Sequence, residues 1–222
     1  MGPLARAQSW SRDGVMRDYI FFPLAAILAA VFVLMGLQPW AERVPTGPWS
    51  CGRCANPEDA SVEGKELHRF VPGNYNGIKI VTPDGGGAEV LRITRGANEQ
   101  YGNPESGPHI VIDSDLECTL AGRAVEVIVT ARSVGEEFGA DRFEVDYFAR
   151  ADVEGESGWR PFDLTREFKD YAFTFQAPNR GGVMGFDVLG IRPVAPDKQR
   201  TMEVKAVRIH AVGPQHPLAC PS

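Results

Sequence analysis

Nineteen consecutive residues, Tyr19 to Leu37, carry no charge. A helix of that length reaches across roughly 30 Å of hydrocarbon. A secretory signal would have a shorter apolar core, about 7–15 residues, closed by a small-x-small cleavage site. This run leaves instead through Leu37-Gln-Pro-Trp-Ala-Glu42. The sequence therefore predicts a retained single-pass anchor over residues 19–40, with a cytoplasmic tail at 1–18. Arg6, Arg12 and Arg17 precede the run and only Arg43 and Arg53 follow closely. That bias sets the N-terminus in the cytoplasm and the remainder in the periplasm or exterior of a bacterial-type inner (plasma) membrane. Tyr19 and Trp40 mark the two headgroup layers. Pro23 is expected in the first turns, where a missing N–H costs least. Ala25, Ala26, Ala29 and Ala30 make overlapping small-xxx-small pairs, a surface on which a second helix packs in lipid.

Beyond the anchor the period changes from helical to two. Residues 41–65 hold Pro45, Gly47, Pro48, Gly52 and Pro57 and read as a stiff linker. From residue 66 the alternation is strand-like at Ile78–Ile80, Glu89–Arg95, His109–Asp113, Arg123–Arg132, Arg142–Arg150, Tyr171–Gln176, Met184–Ile191 and Glu203–Val212. In the fifth of these, Phe143, Val145, Tyr147 and Ala149 share one face. Turn clusters separate the runs at Asp84–Gly87, Asn103–Gly107, Glu154–Gly158 and Asn179–Gly182. The predicted fold is mainly β, an antiparallel jelly-roll β-sandwich over 66–213 preceded by one transmembrane α-helix, with a tail at 214–222.

The net charge is −6 and no basic stripe is present, which argues against nucleic acid as a partner. Four cysteines, Cys51, Cys54, Cys118 and Cys220, all follow the anchor. An even count in an oxidising compartment points to two disulfides, with three pairings open. The Cys51/Cys54 pair lacks the second CxxC of a zinc ribbon and the strand-to-helix setting of a thioredoxin site.

Four segments carry a resemblance: Phe143–Arg150 (FEVDYFAR), Trp159–Thr165 (WRPFDLT), Glu167–Phe175 (EFKDYAFTF) and the closing Val204–Ile209 (VKAVRI). In this succession the chain resembles the carbohydrate-binding-module sandwiches of the galactose-binding-like superfamily, particularly those attached to xylanases and glucanases. The resemblance implies the sandwich fold and a non-catalytic binding role. Where many such modules carry an Asp pair in the last strand, this chain has Lys205 and Ala206.

Candidate ligand-binding residues are Trp159, Phe148, Tyr101 and Asn103. Trp159 offers a ring to stack on a sugar or to pack at the core edge. Phe148 sits among Glu144, Asp146 and Arg150 on the polar face of its strand. Tyr101 and Asn103 belong to an amide-rich loop suited to hydrogen-bonding a glycan. Asp113, Asp115 and Glu117 alternate, so an extended backbone would place their oxygens together, with calcium as the cation such oxygens take. None of the four histidines stands in HExxH spacing, and no GxSxG occurs. The sequence thus predicts no enzyme and no obligate cofactor. It predicts a membrane-anchored accessory or scaffolding subunit whose partner is an integral-membrane protein complex. The alternative is a tethered carbohydrate-binding module for envelope glycans.

Overall fold

The computed structural model describes residues 12–37, 44–50, 59–74, 77–83, 86–97, 102–135, 137–149, 156–179 and 186–213. Tyr101, Cys51, Cys54 and Cys220 lie outside these. The chain divides into two units, residues 1–43 and 44–222.

The first unit contains α1, Arg12–Leu37. It begins earlier than the anchor expected at 19, so Pro23 falls in the helix interior and not in its first turns. There its ring removes one backbone donor and crowds the preceding turn. The described side chains of α1 cover residues 20–36, about 25 Å of helix. Among the described residues no helix is long and apolar enough to cross a membrane. Large apolar side chains are nonetheless exposed along the described stretch, among them Ile20, Phe21, Phe22, Ile27, Phe32 and Met35. Ala25, Ala26, Ala29 and Ala30 are exposed along the same helix.

The second unit is an antiparallel two-sheet sandwich. One sheet has six strands: β1 (Asp59–Glu63), β2 (Ile78–Val81), β3 (Val90–Arg95), β5 (Ala124–Ser133), β8 (Lys169–Gln176) and β10 (Arg200–Val212). The other has four: β4 (His109–Ile112), β6 (Arg142–Phe148), β7 (Arg160–Asp163) and β9 (Asp187–Pro193), in the order β4-β9-β6-β7. After β3 the chain changes sheet at nearly every step. The long β10 organises the larger sheet. It pairs along one side with β5, and shares its other side between β3 (Arg200 to Val204) and β1 (Ala206 to His210). A register shift against β5 falls between Val204 and Ala206. Such a bulge turns Lys205 outward while Val204 and Val207 stay buried.

Alternation explains the core. On β5, Val125, Val127, Val129 and Ala131 point inward, and on β6, Phe143, Val145 and Tyr147 face them. β-branched residues fit this half-buried pleated surface. An aromatic seam joins the sheets: the ring centroid of Phe143 lies 5.3 Å from Phe162 and 5.0 Å from Tyr171, the latter edge-on.

The eight strands read from alternation are all present. Three departures have physical causes. The sandwich starts before residue 66: β1 pairs with β10, and buried Trp49 bridges to β4, its N–H donating to Val111 O at 2.6 Å. Arg160–Asp163, absent from the runs read by alternation, forms the edge strand β7, where Pro161 needs no ladder partner. Residues 113–120 are not extended: Asp113 caps the helix α2, Ser114–Leu120, by accepting from Ser114 N at 2.7 Å.

Candidate functional site

The helical course of α2 dissolves the expected acidic row. At about 100° per residue, Asp115 and Glu117 cannot share one side with Asp113. Asp115 accepts from Ser50 Oγ at 2.7 Å, whereas Glu117 is buried and accepts from the Asp187 N–H at the start of β9. Among the described residues no group of three or more His, Cys, Asp or Glu converges as a metal site. Cys118, on α2, is disulfide-bonded. The other three cysteines lie outside the described residues.

Trp159 and Phe148 belong to the outer surface of the four-stranded sheet. Registers place Glu144, Asp146 and Phe148 of β6 opposite Arg192, Gly190 and Val188 of β9. Trp159 just precedes β7, and its ring lies 3.6 Å from the Arg192 guanidinium carbon. Arg192 Nε donates to Glu144 Oε2 at 2.8 Å. Trp159 therefore packs beneath a paired arginine instead of standing free. Asn103 is spent locally: its amide oxygen accepts from Ser106 Oγ at 2.8 Å, fixing the turn that carries Pro104. A side chain at Gly190 would stand 2.6 Å from Pro104 Cβ and 3.3 Å from Trp159. The absent Cβ lets this turn seat against the sheet. Gly190→Ala is expected to lift Pro104, shift tryptophan emission and cost about 1–2 kcal/mol in chemical denaturation.

Asp146 sits at the centre of this surface, 4% exposed, with Ser157 Oγ 3.1 Å from its Oδ1. Burial pushes its carboxyl above the usual carboxylate range, against the opposing effect of Ser157. The folded protein therefore holds this proton more tightly than the unfolded chain does. Stability falls as pH rises from the ordinary carboxylate value through the raised one, and stays lower above it. Asp146→Asn is expected to remove that fall. Thermal midpoints from about pH 3 to 8 should show the variant at least as stable as the parent near neutrality.

The sequence reading missed a second surface, on the outside of the six-stranded sheet. Glu203 of β10 points outward, yet its side chain is 0% exposed. Register places it between Arg92 of β3 and Arg132 of β5. Arg92 Nη2 donates to Oε1 at 2.6 Å and Arg132 Nε to Oε2 at 2.8 Å. The Phe168 ring stacks 4.4 Å from the Arg132 guanidinium. Beside this triad lies a cavity of ≈ 450 Å³ lined by Arg92, Thr94, Thr201, Val134, Glu137 and Phe138. Thr94 and Thr201 hydroxyls are 3.2 Å apart. Phe138 is 49% exposed. A second cavity of ≈ 270 Å³, lined by Arg132 and Arg166, adjoins it through Val134 and Gly135. The larger volume lies within the range of small-ligand sites, about 300–1,000 Å³. An open groove with an aromatic face, two hydroxyls and a fixed arginine can hold a polar ring. Glu203 is one of several polar residues in β10, beside Arg200, Thr201, Lys205, Arg208 and His210, so nothing in the sequence set it apart.

No protein-family model matches the chain, and no curated protein matches it. Among solved structures it is similar to a CBM4 structure (TM-score 0.42, 13% identity, 75% of this chain and 95% of that one). It is also similar to a cyclase from Fischerella sp. TAU (TM-score 0.43, 14% identity, 76% and 96%). A third is the family 11 carbohydrate-binding module from Clostridium thermocellum in complex with a β-1,3-1,4-mixed-linked tetrasaccharide (TM-score 0.36, 14% identity, 71% and 91%). Sandwiches of this architecture host many functions, so the fold by itself names no chemistry.

Proposed function

We propose that this chain is a non-catalytic binding protein, tethered to a bacterial-type inner membrane through residues 19–40, whose sandwich binds envelope glycans on the periplasmic or outer side. The observation that carries the binding role is the groove beside the Arg92–Glu203–Arg132 triad. Its aromatic side chain, paired threonine hydroxyls and held arginine suit a sugar ring with its hydroxyls. The tether is supported by the uncharged run Tyr19–Leu37, which extends past the described side chains of α1 at both ends, and by the apolar character of every face of that helix. The test is calorimetric titration of the full chain in mild detergent with soluble envelope oligosaccharides. Saturable binding without cleavage of the saccharide is the expected result.

A second reading is an accessory subunit of a membrane protein complex. It draws on Ala25, Ala26, Ala29 and Ala30, exposed on α1 at small-xxx-small spacing. If no saccharide binds and an integral-membrane protein co-purifies in stoichiometric amount from native membranes, this reading replaces the first.

A further inference from the structure

We infer that the groove selects an acidic sugar, a pyranose residue bearing a carboxylate; this rests on the glycan-binding reading and narrows its ligand. Two guanidiniums share one carboxylate at the triad, leaving one net positive charge beside the cavity. Glu203 is fully occupied: Arg92 approaches Oε1 through Nε (3.1 Å) and Nη2 (2.6 Å), Arg132 approaches Oε2 through Nε (2.8 Å) and Nη2 (2.7 Å). The Nη1 group of each arginine makes no hydrogen bond among the described residues. Both side chains keep access to solvent, at 40% and 32% exposure. Arginine forks are matched to carboxylate geometry, and each fork here is fixed from behind by Glu203, so little ordering remains to be done on binding.

The surroundings reinforce the sign. Lys79 of β2 is the register partner of Arg92 on the same outward face. Lys205, turned out by the bulge, stands 5.9 Å from the Phe168 ring that covers Arg132. Further along β10, Arg208 is engaged by Asp170 at 2.6 Å and does not contribute. Among the described residues, Glu137 is the one acidic side chain lining either cavity. This locally cationic surface belongs to a chain whose net charge is −6. A neutral sugar would use the threonines and Phe138 and leave the excess charge uncompensated. A bare anion would use the arginines and leave Phe138 without a role. A carboxylated pyranose engages both.

The experiment titrates the full chain in detergent with trigalacturonate, with neutral xylotriose and with inorganic phosphate. The inference expects trigalacturonate to bind at least about tenfold tighter than xylotriose, with that advantage shrinking as salt rises. Arg92→Gln should lose about tenfold or more for trigalacturonate. Because Arg92 also supports Glu203, the exposed Phe138→Ala serves as the second variant. It should weaken trigalacturonate by about tenfold and leave phosphate unchanged. Equal binding of acidic and neutral trisaccharides overturns the inference while the glycan reading stands. Phosphate binding as tightly as trigalacturonate, with Phe138→Ala affecting neither, also overturns it. If neither trisaccharide binds, both the inference and the glycan reading fall.

Discussion

Glu203→Ala is expected to lower the unfolding free energy by about 3 kcal/mol, measured as a drop in urea midpoint at unchanged slope. The carboxylate is 0% exposed and is held by Arg92 at 2.6 Å and Arg132 at 2.7 Å. Removing one member of a buried ionic group leaves its partners uncompensated and costs about 3–5 kcal/mol. The low end applies here because both arginines reach solvent and can rehydrate. The loss also breaks a bridge between three strands, since β3, β10 and β5 each contribute one residue. An ion pair outside this environment sets the contrast. Arg142 and Asp163 meet at 3.1 Å with 55% and 88% of their side chains exposed, so Asp163→Ala should change stability by less than about 0.5 kcal/mol.

Phe143→Ala should cost more, about 3–5 kcal/mol in the same measurement. Phe143 is fully buried on β6 and touches aromatic rings from both sheets: Phe162 on β7 and, edge-on, Tyr171 on β8. Phe162 and Tyr171 are themselves 5.8 Å apart, so the deletion leaves a cavity inside a three-ring cluster. Tyr171 is tied down independently, its hydroxyl oxygen accepting from Thr165 N at 3.0 Å, and cannot swing to fill the gap. Phe143→Leu keeps most of the volume and should lose only about 1–2 kcal/mol.

The strands that bury a full apolar stripe were legible because period-two alternation is a direct image of a two-faced sheet. β1 was not, because Asp59-Ala-Ser-Val-Glu63 offers only two apolar residues and gains its place from pairing with β10. α2 escaped because seven residues give barely two turns of pattern, and its acidic residues alternate in a way that also suits an extended edge. The candidate site divides along the same line. Trp159 and Phe148 were visible as aromatics in a polar neighbourhood, but whether a ring stands free depends on Arg192, which arrives from another strand. The triad was invisible for a stronger reason. Its carboxylate lies 111 residues from one arginine and 71 from the other, and only the register of β10 with β3 and β5 unites them.

The most direct test of a tethered binding sandwich is fractionation of the full chain from the cell that makes it. An alkaline carbonate wash is compared with detergent extraction, for the intact protein and for one lacking residues 1–43. The account predicts that the intact chain resists carbonate and is released only by detergent, while the shortened chain is free of membrane and keeps the parent's urea midpoint. Release of the intact chain by carbonate alone would contradict it.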